Sequence, residues 1–132
     1  MSVNCKKVIR DIDFQLENLI ACALLKAVHF YLDTQGKEFA LHYLRNKDGK
    51  EVDFALVQDN EVATLIEVKW SDSNLSKNLS LFFKDNVSTR KVKRLQVVGT
   101  LNTARSWPNG DRAEPAIEFL SSLNLDELAL TT

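Results

Sequence analysis

Four short stretches of this chain are predicted to be strands, and the runs 49–56 and 65–70 alternate apolar with polar residues, which is the pattern of a strand with one buried face. The stretches are residues 38–45, 50–58, 62–70 and 92–99. Elsewhere apolar residues recur at helical spacing, which predicts a long first helix over 9–32 and a second over 75–87. A short amphipathic helix is predicted over 114–123, with Pro115 in its first turn.

The first predicted helix is expected to be largely buried, because it has a broad apolar face and contains no Gly or Pro. Glu17 falls on the flank of that face, so its carboxylate can reach inward. Gly36 is suited to the position that ends the helix. The apolar face consists of Ile9, Ile12, Leu16, Leu19, Ile20, Ala23, Ala27 and Tyr31.

Turn residues at 46–49 and 59–60 connect the first three predicted strands, which predicts an antiparallel meander. The chain reaches the fourth strand only through a helix, so this strand is expected to pair parallel with the third. Residues 101–111 are predicted to form a loop. The expected fold class is therefore α/β, with a central mixed sheet of about four strands, flanking helices and an extra C-terminal helix.

The length of 132 residues and a hydrophobic content of 45% predict one domain over 1–132. The net charge of -1 argues against a whole-molecule attraction to nucleic acid or to an anionic membrane. The longest apolar run is too short to cross a bilayer, so no membrane association is expected. Cys5 and Cys22 lack metal or redox spacing, which predicts buried free thiols and a cytoplasmic protein.

Three ionisable residues, Asp53, Glu67 and Lys69, occupy polar positions of the second and third predicted strands. Glu67 and Lys69 are two residues apart, so they share one face of their strand. Counted back from the turn at 59–60, Asp53 lies across from Glu67 or its neighbours. Two close carboxylates repel each other, and a divalent cation between them removes that cost while polarising a phosphate and acidifying a bound water. The pattern therefore predicts a site for a metal and a phosphate.

The same pattern has a simpler interpretation, in which these residues form the solvated face of a half-exposed sheet. A Glu–Lys pair on such a face contributes only a few tenths of a kcal/mol. Glu51 shares Asp53's side of the strand and is either a further ligand or a charge at the rim.

Three segments of the chain together resemble a known family. They are Leu16-Glu17-Asn18, the run YLRNKDGKEVDF that ends at Phe54, and Ile66-Glu67-Val68-Lys69. Asp53, separated by thirteen residues from Glu67-Val68-Lys69, resembles the motif of the PD-(D/E)XK nuclease superfamily. That superfamily has a core of one helix, three antiparallel strands, a helix and a strand, the order predicted above. More narrowly, the segments look like the nuclease-like C-terminal domain of unknown function carried by prokaryotic AAA+ ATPases; this chain has no P-loop motif.

The resemblance covers about residues 10–100, so it implies a domain core at about 10–100 and a C-terminal extension over 101–132. It implies a nuclease dependent on Mg²⁺ or Mn²⁺ that hydrolyses phosphodiester bonds, with DNA favoured over RNA. It implies that Asp53 and Glu67 hold the metal, that Lys69 assists the nucleophile, and that Glu17 is the acidic residue on the helix. Val52 stands where a proline often precedes the aspartate in that superfamily.

Residues 75–105 carry seven cations and one acid, Asp85, which gives this segment a net charge of +6. Such a segment can neutralise backbone phosphates, or it can form solvated faces and a lysine-guarded sheet edge. The residues expected to contact nucleic acid are Lys77, Lys84, Arg90, Lys91, Lys93 and Arg94.

Two other functions fit the sequence. One is a non-catalytic regulatory or interaction module that keeps the nuclease fold and docks to an AAA+ ATPase module or to a second copy of itself. The other is a nucleic-acid binder without chemistry, whose affinity would depend steeply on salt.

Overall fold

The computed structural model describes residues 5–45, 51–71, 92–108 and 110–130, without the side chains of 5–11, 13, 44–45 and 51–53. The elements of the described part, in chain order, are α1 (Cys5–Gln35), β1 (Phe39–Arg45), β2 (Glu51–Gln58), β3 (Glu61–Lys69), β4 (Lys93–Val98), β5 (Arg105–Ser106), β6 (Arg112–Pro115), α2 (Ala116–Ser121) and α3 (Leu125–Leu128). The predicted helix 75–87 and the predicted turn 46–49 lie outside the described residues.

Within the described residues, six strands form one mixed sheet in the order β1-β2-β3-β4-β6-β5. The first three strands pair antiparallel, as a meander does, and β4 pairs parallel with β3. Both arrangements follow from the connections, since a tight turn can join only antiparallel strands and a parallel neighbour needs a longer crossover. The predicted α/β class is confirmed.

The connection between β2 and β3 is a two-residue hairpin turn at Asp59 and Asn60. Both residues have positive φ, 54° and 62°, as a type I′ turn requires. Asp and Asn tolerate this left-handed region better than other residues with a side chain, which explains why the chain reverses here. The turn fixes the pairing of Gln58 with Glu61 and of Val57 with Val62. The register then shifts by one residue, since Leu56 pairs with Thr64, and this shift sets which residues face each other at the other end of the two strands.

Helix α1 packs on one face of the sheet through a stripe of residues spaced four apart. Leu16, Ile20, Leu24 and Val28 are buried there. They form one hydrophobic core with side chains of the three central strands, Phe54, Leu56, Ile66, Val68, Leu95 and Val97. Burying each such side chain contributes about 1.5–3 kcal/mol to folding, so this interface is the main source of stability in the described part.

The structure corrects three details of the sequence prediction. Leu19 is 54% exposed rather than buried, because the buried stripe is narrower than the predicted face and excludes it. Cys22 is a free thiol, as expected, but it is exposed because it points away from the same stripe. The predicted loop 101–111 contains the short strand β5, and β6 follows directly, so the sheet has more strands than expected.

The predicted helix 114–123 begins two residues later than expected and is followed by a separate short helix. Pro115 ends β6 and precedes the first residue of α2. Its missing N–H costs nothing there, since the first N–H groups of a helix have no partner within it. No helix among the described residues is both long enough and apolar enough to span a membrane.

Residues 124–130, here called the C-terminal segment, are held against the sheet and α1 by polar contacts. The Lys93 ammonium donates to the backbone oxygens of Glu127, at 2.6 Å, and Ala129, at 3.0 Å. Positive charge at these carbonyls is favourable because the C-terminal end of a helix carries partial negative charge. Other contacts join Thr64 to the oxygen of Leu128, Tyr31 to Asn124, and Lys37 to Asp126.

We expect Leu24→Ala to lower the free energy of unfolding by about 2–5 kcal/mol, because it leaves a cavity under α1. The neighbouring substitution Leu25→Ala is a matched control, since Leu25 is 47% exposed and its loss should change stability by about 0.5 kcal/mol or less. Urea denaturation followed by circular dichroism measures both values. Equal effects of the two substitutions would contradict the assignment of the buried stripe.

Candidate active site

The candidate site lies on the face of the sheet opposite α1. Strand β3 is central, and its residues 63–68 are all buried. Because successive side chains alternate, Ile66 and Val68 face α1, whereas Leu65 and Glu67 point to the other face. We call this second face the site face. It also includes Gln96, which pairs with Glu67 on the parallel strand β4.

Glu67 is a buried acid of the site face, with 2% of its side chain exposed. Its Oε1 lies 3.6 Å from the Nζ of Lys69, whose side chain is 43% exposed. The two residues therefore share a face, as predicted, but Glu67 is not on a solvated surface. Removing a carboxylate from water is costly unless cations or hydrogen-bond donors surround it. A sheet stabilised only by packing would place an apolar residue here.

Asp53 is placed beside Glu67 by the register of the two strands. Phe54 pairs with Ile66, so Asp53 and Glu67 are the next residues along β2 and β3. On the other side of β2 the register shifts, since Tyr43 pairs with Phe54 but Leu44 pairs with Val52. Asp53 is thus the extra residue of a β-bulge, a feature that is over-represented next to active sites. Its side chain lies outside the described residues.

A row of paired residues crosses the site face from Glu67 to the sheet edge. Glu67 pairs with Gln96, Gln96 with Ala113, and Ala113 with Arg105 of β5. Paired residues of neighbouring strands project to the same face, so this row belongs to one surface. Gln96 is fully buried and next to Glu67, and the sequence prediction did not include it. The available signal was a polar residue within a run of apolar strand positions.

Of the six residues expected to contact nucleic acid, the structure describes two, and both make contacts within the chain. Lys93 holds the C-terminal segment, as described above. Arg94 forms an ion pair with Asp111, in which the two side chains are 16% and 2% exposed. A role in binding phosphates stays a prediction for both residues. Lys77, Lys84, Arg90 and Lys91 lie outside the described residues.

Glu17 lies on α1, which covers the opposite face of the sheet from Glu67. It follows Leu16, a residue of the buried stripe, and is half-buried at the flank, as its wheel position predicts. The structure therefore brings Glu67, Lys69 and the backbone of Asp53 together, and places Glu17 on a different layer. Its assignment to the active site stays a prediction.

The donor set of the site suits a hard divalent cation, because carboxylate and amide oxygens are what Mg²⁺ and Mn²⁺ prefer. Glu67 supplies a buried carboxylate, Asp53 lies on the neighbouring strand β2, and Gln96 carries a side-chain amide. Among the side chains that the structure describes, no group of three or more His, Cys, Asp and Glu lies close enough to hold a metal. A site at Glu67 would therefore need Asp53, whose side chain is outside that set.

Fold and site define an α/β domain in which the central strand of a mixed sheet carries a buried carboxylate beside a lysine. The chain belongs to the family described as "Domain of unknown function (DUF4143)", whose model matches residues 14–115. No curated protein and no solved structure matches the chain. The family match covers α1 from Phe14 onward and all six strands of the described part, and so every strand that forms the site face there.

We expect Asp111→Ala to lower the free energy of unfolding by about 3–5 kcal/mol, because it leaves the Arg94 guanidinium without its buried counter-ion. The pair of Arg112 and Glu114 is the matched control. Its atoms are 2.8 Å apart, but the side chains are 55% and 22% exposed. Glu114→Ala should therefore cost about 1 kcal/mol or less. Urea denaturation of both variants tests the difference, and similar losses would refute the importance of the buried pair.

Proposed function

We propose that this protein is a metal-dependent nuclease domain that hydrolyses phosphodiester bonds, with DNA favoured over RNA as its substrate. The observation that carries the proposal is the burial of Glu67 on the central strand, with the Lys69 ammonium 3.6 Å from its carboxylate. Such an arrangement costs folding energy and is suited to chemistry on an anion. The resemblance of the Asp53, Glu67 and Lys69 motif to the PD-(D/E)XK nucleases supports the same reaction.

In this proposal Asp53 and Glu67 would hold Mg²⁺ or Mn²⁺. A bound metal of this kind supplies Lewis-acid polarisation of a phosphate oxygen and lowers the pKa of a coordinated water. Lys69 is partly exposed at the end of β3, so its ammonium can contact a phosphate while Glu67 stays buried. We assign Lys69 to orient the attacking water and to neutralise charge that develops on the phosphate. Glu17 is kept as a candidate acid on α1.

A second candidate function is docking to an AAA+ ATPase module. The family to which the chain belongs is associated with such ATPases. The outer face of α1 supports this candidate because Phe14, Leu25 and Leu32 are 62%, 47% and 46% exposed and lie along one strip of the helix. If the protein works by docking, the carboxylates of Asp53 and Glu67 would be dispensable. Association with the ATPase would depend on the exposed apolar strip of α1.

We expect purified protein to cleave DNA in the presence of Mg²⁺ or Mn²⁺, and Glu67→Gln or Lys69→Ala to reduce the rate by about 100-fold or more. Matched controls are Glu118→Gln and Lys26→Ala, which make the same charge changes at exposed helical positions and should leave the rate unchanged. Circular dichroism of each variant confirms that it is folded. Cleavage is followed by gel electrophoresis on single-stranded, duplex and branched DNA.

If the wild-type protein leaves all three DNA forms intact with both metals, the nuclease proposal is wrong. The docking candidate is then tested with an AAA+ ATPase domain of the same organism. Phe14→Glu and Leu25→Glu should abolish co-elution on a sizing column, whereas Asp53→Asn should not.

A further inference from the structure

Strand β1 is the longer edge strand of the sheet. Among the described residues it pairs only with β2, whereas the opposite edge strand, β5, has two residues. Proteins protect sheet edges with short strands, lysines, prolines or bulges, because an unpaired edge is a template for a further strand. Strand β1 has seven residues, FALHYLR, without Lys, Pro or Gly, and it pairs regularly with β2 from Phe39 to Tyr43. Its outer edge therefore has the length and composition of a strand that accepts a partner.

The two-residue turn between β2 and β3 sets which backbone groups of β1 point outward. The residues that flank such a turn, Gln58 and Glu61, exchange their backbone hydrogen bonds with each other. Gln58 therefore bonds β3, and its partner on β1, Phe39, directs its N–H and C=O away from β2. Leu41 is two residues further along and has the same orientation. The outer edge thus presents the backbone groups of Phe39 and Leu41.

The side chains of β1 divide between a packed face and an exposed face. Phe39 is buried and Leu41 packs against the hydrophobic core. Ala40 and His42 point to the other face and are exposed, as is Glu38, which directly precedes the strand. In the part of the chain that the structure describes, no hydrogen bond or ion pair engages Glu38 or His42. These two side chains can therefore meet a partner without breaking a contact of the fold.

We propose that two copies of this chain pair through β1, antiparallel about a two-fold axis at Ala40, so that their sheets join into one. Phe39 of one copy then lies opposite Leu41 of the other, and the two such pairs use the outward N–H and C=O groups. On the exposed face, the Glu38 carboxylate of one copy accepts from the His42 imidazole of the other. The inference does not depend on the proposed function, because β1 carries none of the candidate site residues.

The sequence around Ala40 favours a second copy as the partner, because its pattern is the same in both directions. One apolar residue follows on each side of Ala40, and then Glu38 on one side and His42 on the other. Such a self-complementary segment is what a two-fold interface requires, since each contact occurs twice. An interface centred one residue later, at Leu41, would instead place the cations Lys37 and Arg45 opposite each other.

The oligomeric state is measured by size-exclusion chromatography with light scattering, from micromolar to millimolar protein. A reducing agent is present because Cys22 is an exposed free thiol. We expect a dimer whose Kd rises several-fold in Ala40→Lys, since two like charges then meet at the axis. Ala104→Lys is the matched control, because it makes the same change at an exposed position beside the other edge of the sheet, and it should leave the Kd unchanged.

A charge exchange tests the side-chain pair across the interface. Glu38→Lys should weaken the dimer, because it removes the acceptor for His42 and places two cations opposite each other when the imidazole is protonated. Adding His42→Glu to Glu38→Lys should restore association, since opposite charges face each other again. Circular dichroism confirms that each variant is folded. Equal weakening in the single and the double variant would contradict the pairing of Glu38 with His42.

Disulfide formation tests the register, in a background of Cys5→Ser and Cys22→Ser. Ala40→Cys should give a covalent dimer on mild oxidation, because the two Cα atoms of the close pair are about 4.5 Å apart, within the range that a disulfide bridges. His42→Cys should not, since its two copies lie about 13 Å apart along the strands. Cross-linking by His42→Cys and not by Ala40→Cys would refute the register.

Three outcomes of the chromatography would overturn the pairing of β1. The first is a protein that stays monomeric at every concentration. The second is a dimer that Ala40→Lys and Ala104→Lys affect equally. The third is a dimer that survives Ala40→Lys but is lost in Phe14→Glu, which would assign the association to the outer face of α1.

Discussion

Strand β3 is hydrogen-bonded on both sides and buried on both faces, and the other elements are arranged around it. A two-residue turn connects β3 to its antiparallel neighbour β2, and a crossover connects it to its parallel neighbour β4. Strand β3 therefore has one antiparallel and one parallel partner. Alternation along β3 then divides its side chains between the hydrophobic core under α1 and the site face. The same backbone that holds the core together therefore also sets the position of Glu67.

The site face contains a second buried acid, Asp111, and the two acids have different surroundings. Asp111 is paired with the guanidinium of Arg94 on the neighbouring strand, and its backbone oxygen accepts from Trp107. These contacts fix the start of β6 and the connection that leads to it from β5, the strand that bears Arg105. Glu67 has instead a lysine that is nearly half exposed. The ammonium of Lys69, at the surface, can contact a ligand, whereas the buried guanidinium of Arg94 stabilises the fold through its ion pair with Asp111.

Much of the fold could be predicted from alternation and turn residues. The bounds of β1 to β4 agree with the predicted strands to within one residue at each end, and the parallel pairing of β4 followed from its connection. Strands β5 and β6 were missed because two or four residues are too few to show a period, and because Pro115 was interpreted only as a helix residue. Their existence depends on pairing with β4, which is a tertiary contact.

The candidate site could be predicted in part. The shared face of Glu67 and Lys69 follows from their spacing, but the burial of Glu67 depends on what covers the sheet, and sequence alternation carries no information about that. Gln96 was missed for a related reason, since its proximity to Glu67 requires the β3–β4 register. The register near Asp53 shifts at a bulge, and simple counting along the strands cannot anticipate an extra residue.

The contacts of the C-terminal segment have a consequence for synthesis on the ribosome. Tyr31 and Asn124 are 93 residues apart in the chain, yet their side chains are hydrogen-bonded. Thr64 and Lys93 likewise form hydrogen bonds with carbonyl oxygens of residues 127–129, which are synthesised later. Helix α1 can thus reach its final packing only after the C-terminal segment has emerged from the ribosome. Contacts of such long range also slow folding, so the apolar stripe of α1 is exposed to chaperones during translation.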